Sequence, residues 1–247
     1  MRPFNRGVSR RRSARGVWWM AGFVALALSA TEADSVAQWP TPRLLALSTT
    51  GGQAGTTTEV TLVGSDLEGA TTLWFDHPGL RGFHLKGLTF KVVIAPETPL
   101  GPHDVRVVGT FGVSNSRLFV VSDLVETAEV EPNSSIAQAQ VIPIPGVING
   151  QVNPAADLDY FAIDGKRGQR LFIEVQAARA DSRLDASLRV LRSNRSLLAE
   201  SQDVLGADPF LDVRFPEDGR YFIQVHDVIY QGSQEYPYRL VIQEAHL

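Results

Sequence analysis

From Pro42 onward, apolar residues come in short runs that alternate with polar ones, and no amphipathic stretch of helical period reaches about twelve residues. In the first half the two-residue period is clearest at Val60 and Leu62, set among Thr and Glu, and at Phe90, Val92 and Ile94, with Thr89 and Lys91 on the other side. In the second half Leu171, Ile173 and Val175 alternate with Phe172, Glu174 and Gln176, and Tyr221, Ile223 and Val225 repeat the pattern. Turn residues separate the runs: Gly51-Gly52, Pro96, Pro99 to Pro102, Gly109 to Gly112 and Asp218-Gly219. The pattern predicts strands near Arg43–Ser48, Thr57–Val63, Thr71–Phe75, Leu88–Ile94, Asp104–Val108 and Ser116–Val121. It then predicts strands near Gly146–Val152, Tyr160–Asp164, Arg170–Ala177, Ala186–Arg192, Ser196–Glu200, Phe210–Phe215, Arg220–His226 and Tyr238–Gln243. Turn signals at roughly eight- to twelve-residue spacing, with no helices between, imply an all-β fold of two consecutive β-sandwich domains.

The N-terminus reads differently. Arginines 2, 6, 10, 11, 12 and 15 precede the first acidic residue, Glu32, and the apolar run Val17–Leu28 follows them. Small residues then offer a cut after Ser35-Val36-Ala37, or earlier at Leu28-Ser29-Ala30. This is the order of a secretory signal peptide, and the run is shorter than the roughly 20 residues of a membrane span. Ser9-Arg10-Arg11 hints at twin-arginine export, but Ser13 and Ala14 are not the apolar pair such signals carry. The expected plan is a signal peptide over 1–37, a first sandwich over 38–122, an acidic linker over 123–135 and a second sandwich over 136–247. The mature protein is expected to be secreted, periplasmic or held in the cell envelope, with no later run apolar enough to span a bilayer.

Cleavage removes six arginines and two acids, so the net charge falls from -4 for the whole chain to -8. Such a charge argues against nucleic acid and anionic lipid as partners, while its carboxylates suit hard divalent cations. The chain has no Cys, which excludes disulfides, a thiol nucleophile and thiolate metal ligands.

Residues 42–122 resemble the IPT/TIG immunoglobulin-like domains. The likeness rests on Gly51-Gly52 and Gly55, Val63-Gly64-Ser65-Asp66-Leu67, Leu73-Trp74-Phe75, Val92-Val93-Ile94-Ala95-Pro96, Pro99-Leu100-Gly101, Asp104 to Val108, and Gly112-Val113-Ser114-Asn115 before Phe119. Residues 126–243 resemble the bacterial pre-peptidase C-terminal (PPC) domain. The matching pieces are Glu129-Val130-Glu131-Pro132-Asn133, Ile148-Asn149-Gly150, Asp157-Leu158-Asp159-Tyr160-Phe161, Gly168-Gln169, Leu184-Asp185, Asp203, Asp208-Pro209, Pro216 to Tyr221 and Tyr236 to Leu240. The first resemblance implies an Ig-like sandwich, the second a jelly-roll sandwich that accompanies secreted peptidases.

The best chemical constellation is acidic. Glu129, Glu131 and Asn133 share one phase of an extended segment, and Asp157 and Asp159 share one phase at a strand entry. Five such oxygen side chains, joined by carbonyls or water, could give calcium its six to eight ligands. Solvated linker and turn carboxylates are the alternative. Resemblance to the collagen-binding domains of clostridial collagenases implies calcium where the acidic linker meets the sandwich, and a cation there would stiffen the linker and fix the angle between the sandwiches. A second group, Asp185, Asp203, Asp208, Asp212, Asp218 and Asp227, reads as turn chemistry. All five tyrosines lie in the second half, and Tyr230, Tyr236 and Tyr238 form a candidate binding surface, with core packing as the alternative. Catalysis has little support, since neither H-E-x-x-H nor G-x-S-x-G occurs, and adjacent His226 and Asp227 would face opposite sides of a strand. The expectation is therefore a non-catalytic exported binding or scaffolding module pair. It would act on an extracellular protein, a polysaccharide or another envelope protein. The alternative is an accessory region of a secreted peptidase or other hydrolase.

Overall fold

The computed structural model describes residues 39–245, which form an all-β protein without α-helix; the expected signal peptide lies outside the described residues. The first sandwich comprises β1 (Arg43–Leu47), β2 (Gly51–Gln53), β3 (Thr57–Ser65), β4 (Thr72–Phe75), β5 (Leu80–Lys86), β6 (Thr89–Ile94), β7 (Gly101–Gly109), β8 (Gly112–Val113) and β9 (Arg117–Ser122). One sheet runs β1-β3-β6-β5 and the other β2-β9-β7-β4, with β8 hairpinned onto β7. Leu44, Val60, Phe90, Val92 and Ile94 from the first sheet share a core with Leu73, Phe75, Val105, Phe119 and Val121 from the second.

The second sandwich comprises β10 (Glu126–Ala128), β11 (Gln140–Val141), β12 (Gly146–Gln151), β13 (Asp159–Gly165), β14 (Arg170–Gln176), β15 (Ala186–Arg192), β16 (Leu197–Ser201), β17 (Phe210–Arg214), β18 (Gly219–Asp227) and β19 (Pro237–Glu244). Short 3-10 turns stand at Ile136–Gln138 and Ala178–Ala180. Its sheets run β10-β12-β19-β14-β17 and β11-β13-β18-β15-β16. Leu171, Ile173, Val175, Leu240 and Ile242 pack against Phe161, Ile163, Leu188, Ile223 and Val225, all essentially without solvent contact. The residues with the clearest alternation are thus the ones that fill the cores.

Several strands lie where the pattern was silent. β5 buries Leu80 but leaves Arg81, Phe83, His84, Leu85 and Lys86 exposed, so it carries no alternating signal. Gly51-Gly52 read as a turn, yet they pair in parallel with Val120-Val121 of β9. A Cβ on Gly51 would lie 2.3 Å from the Val120 carbonyl oxygen and 2.7 Å from Arg239 Nε, so only glycine fits this approach.

The segment read as an acidic linker is built into the second sandwich. β10 pairs in parallel with β12, Glu126 beside Val147 and Ala128 beside Asn149. It also forms the junction. Arg239, fully buried, pairs with the Glu126 carboxylate and donates to Gln176 Oε1 at 2.6 Å. Glu126 further accepts from Asn149 Nδ2 and from Ser122 Oγ, both at 2.7 Å. At a second contact Asp181, with φ of 62°, accepts the Leu118 N–H of β9 at 3.1 Å. The two sandwiches are therefore bridged by the Ser122–Glu126 hydrogen bond and the Asp181 cap on Leu118, while the buried Arg239–Glu126 pair lies within the second sandwich, its Arg239 packed against Gly51 of the first.

Candidate metal centre

The acidic side chains converge where β10, β12, β13 and β19 meet. The Glu129 N–H donates to the Asn149 carbonyl at 2.9 Å, which extends the β10–β12 pairing by one residue and turns the Glu129 side chain toward β19. Glu129 Oε1 accepts from Asn133 Nδ2 at 2.7 Å and from the Tyr238 hydroxyl at 3.0 Å, and Oε2 accepts the Gln151 N–H at 2.8 Å. Glu131 Oε2 accepts the Asn133 N–H at 2.9 Å, closing a local turn. Asp159, the first residue of β13, is fully buried and accepts from the Tyr238 hydroxyl at 2.8 Å. Glu129, Glu131 and Asp159 each bring one carboxylate oxygen within 4.8 Å of the others.

Asn133 also belongs to this cluster, its side chain buried beside Glu129. Asp157 stands next to it and serves its own loop, accepting from Ser134 Oγ and from the Leu158 and Asn153 N–H groups at 3.0 to 3.1 Å. Ser134 thus bridges through its hydroxyl to the Asp157 carboxylate.

Two buried oxygens in the cluster have no hydrogen-bond partner: Asn133 Oδ1 and Asp159 Oδ1. Such acceptors are costly unless a donor or a cation answers them. Among the described residues no Lys, Arg or His forms an ion pair with Glu129, Glu131, Asp157 or Asp159. Burial pushes the Asp159 carboxyl up to about 9, and the neighbouring Glu129 charge adds to the effect. Burial likewise raises Glu129, against the hydrogen bonds from Gln151, Asn133 and Tyr238. Tyr238 is pushed well above the usual phenol range by burial and by the two carboxylates. An all-oxygen set with orphaned acceptors and too little positive charge can hold a metal ion, and the donor type matches a hard divalent cation.

Tyr238 was expected at a binding surface with Tyr230 and Tyr236, and here the structure corrects the sequence reading. Tyr238 lies inside the sandwich at 1% exposure, in phase with Leu240 and Ile242. That phase was readable in the sequence. Gly150, directly opposite on β12, makes the room, since a Cβ there would fall 2.4 Å from the Tyr238 ring. Tyr236 packs partly buried against the core, and Tyr230 alone is half exposed, edge-on to His226 at 5.2 Å between ring centroids.

The second acidic group is divided among turns and ion pairs. Asp227 accepts the N–H groups of Asp185, Ile229 and Gln231. Asp208 accepts the N–H groups of Ala177, Ala178 and Arg179 and pairs with the Arg179 guanidinium. Asp212 pairs with Arg170. Two of the described histidines are buried. His103 sits 3.1 Å from Asp76 Oδ1 through Nδ1 and 2.8 Å from the Pro99 carbonyl through Nε2, which occupies both ring nitrogens. His226 is buried, which pushes its imidazole toward the neutral form, and its Nδ1 has no partner. Among the described residues no histidine hydrogen-bonds a serine or threonine hydroxyl.

No protein-family model matches the chain. It is similar to a probable subtilase-type serine protease of Deinococcus radiodurans, 29% identical over 124 residues, which cover 46% of this chain and 16% of that protein. The chain thus spans about a sixth of that relative's length. Among solved structures, the pre-peptidase C-terminal domain of collagenase from Bacillus anthracis overlays with a TM-score of 0.35 at 15% identity, covering 42% of this chain and 94% of that one. The periplasmic g-type lysozyme inhibitor of Aeromonas hydrophila overlays with a TM-score of 0.36 at 14% identity, covering 49% and 99%.

Proposed function

We propose that this chain is an exported, non-catalytic binding or scaffolding module whose second sandwich is stabilised by calcium. The observation that carries the reading is the pair of orphaned buried oxygens, Asn133 Oδ1 and Asp159 Oδ1, beside three converging carboxylates. Glu129, Glu131, Asn133 and Asp159 would hold the ion, with Asp157 as a further ligand from the adjoining loop. The ion would supply positive charge, letting Asp159 stay ionised in its buried position and pinning residues 129–133 to β13. Export after Ala37 brings the protein to millimolar calcium, and an extracellular protein, polysaccharide or envelope partner would be its target. Calorimetric titration of the 38–247 protein with calcium tests the site: one equivalent of saturable heat, lost in Glu129→Gln and Asp159→Asn, is expected. No heat with wild type, or unchanged heat with both variants, overturns it.

A second reading is favoured by the similarity to one part of a much longer probable protease. On that reading the two sandwiches are an accessory region of a secreted peptidase. Intact-mass measurement of the exported product from its native host separates the two. A species starting at Gln38 and ending at Leu247 supports the free-standing module; a larger product carrying peptidase activity supports the accessory region.

A further inference from the structure

A surface on the first sandwich, far in sequence from the acidic cluster, has the makings of a docking edge. β5 terminates the sheet order β1-β3-β6-β5 and pairs with β6 alone, so its other side presents unpaired backbone groups. Phe83 is 52% and Leu85 46% exposed on this strand. Arg81 and Lys86 flank them, and Lys91 stands directly opposite Phe83 on β6. None of these three cations makes an ion pair among the described residues, and β5 itself contains no carboxylate in a chain with 27 acidic and 23 basic residues. Acids also border this edge: Glu59, opposite Lys91 on β3, and Glu97, which lines a groove with Arg81. A groove of about 440 Å³, bounded by His77, Pro78, Arg81, Val93 and Glu97, opens at the N-terminal end of β5.

Proteins commonly blunt exposed edges with lysines and bulges. β5 has both near its C-terminal end, an irregularity between His84 and Lys86 and the lysine itself. The stretch Leu80–His84 has neither. Instead it offers an aromatic ring between two cations.

We propose that β5 is a docking edge for an extended acidic polypeptide segment, which adds as a further strand beside Leu80–His84. Partner carboxylates meet Arg81, Lys86 and Lys91, and an apolar partner side chain lies on Phe83. The charge of the edge selects an acidic occupant. Its unpaired backbone selects a polypeptide over an acidic polysaccharide, because only a peptide chain can continue the ladder of N–H···O=C bonds. The proposal is independent of the calcium reading.

The test uses the 38–247 protein and a fluorescent peptide that alternates Val or Thr with Glu. Two further probes are the same peptide with Pro at alternate positions and polygalacturonate. The alternating peptide is expected to bind, to weaken with added salt, and to lose about tenfold or more affinity in Phe83→Glu and in the Arg81→Glu/Lys91→Glu pair. These positions are exposed, so the unfolding midpoints of the variants should match wild type and exclude a folding defect. Absence of peptide binding, equal binding of the proline-interrupted peptide or of polygalacturonate, or undiminished binding by Phe83→Glu overturns the proposal.

Discussion

The hydroxyl of Tyr238 stands 2.8 Å from the buried Asp159 and 3.0 Å from the partly buried Glu129, with one hydrogen to serve two carboxylates. Glu129 has further donors in Asn133 and Gln151, so Asp159, with one oxygen unpartnered, is the acid that calls for a proton or a cation. The Asp159 carboxyl, pushed up to about 9, is the one that holds the proton when no metal is bound.

A pH dependence follows. In the unfolded chain Asp159 ionises near its ordinary value of 3.8. Between roughly pH 4 and 9 the folded, metal-free protein binds more protons than the unfolded one, so this stabilisation is complete on the acid side and is lost as pH rises. Chelated protein should lose up to about 1.4 kcal/mol of stability per pH unit across that window. Asp159→Asn should flatten the dependence. Denaturant midpoints at several pH values in chelator check it; a wild-type midpoint that rises between pH 5 and 8 contradicts it.

Calcium should reverse the balance. At about 100-fold over its dissociation constant the ion adds roughly 2.7 kcal/mol, which for a protein of this size raises the unfolding midpoint by about 5–10 °C. The shift should grow from pH 6 to pH 8, because the ion competes with a proton. Differential scanning calorimetry with calcium and with chelator reads it, and Asp159→Asn should show little of it.

Tyr238→Phe keeps the buried ring and removes the shared donor. It should cost about 1–3 kcal/mol in chelator and less in calcium, where the ion answers the same carboxylates. Gly150→Ala should cost about 1–3 kcal/mol under both conditions, since its methyl meets the Tyr238 ring. Chemical denaturation of both variants with and without calcium distinguishes loss of a donor from loss of space.

The junction predicts a different outcome from a calcium-set angle. The Ser122 hydroxyl on Glu126 and the Asp181 cap on Leu118 bridge the sandwiches, and Arg239, which holds Glu126, packs against Gly51, all outside the cation cluster. Small-angle scattering should give the same envelope in calcium and in chelator. Arg239→Met leaves Glu126 buried and unpaired, and should cost about 3–5 kcal/mol or open the junction. Adding Glu126→Gln should recover much of that loss, which a purely steric defect would not allow.

The all-β class and most strands were legible because the two-residue period is a local property of a strand with one buried face. Val60 and Leu62, Leu171 to Val175 and Tyr221 to Val225 display it, and each set lies in a core. β5 was illegible for the same reason: apart from Leu80 and the partly covered Gly82 it faces water, so nothing imposes alternation. The acidic residue types and their phase were also readable, as was the phase of Tyr238 with Leu240. What no local pattern carries is convergence. Tyr238 and Glu129 are 109 residues apart, and Arg239 and Glu126 are 113 apart. They meet because β12 pairs with β19 on one edge and β10 on the other, in a register that sets Gly150 against Tyr238. That register is fixed by the burial of whole sheet faces, a property of the assembled sandwich. It turns one tyrosine inward to the carboxylates and its neighbour Arg239 outward to the junction.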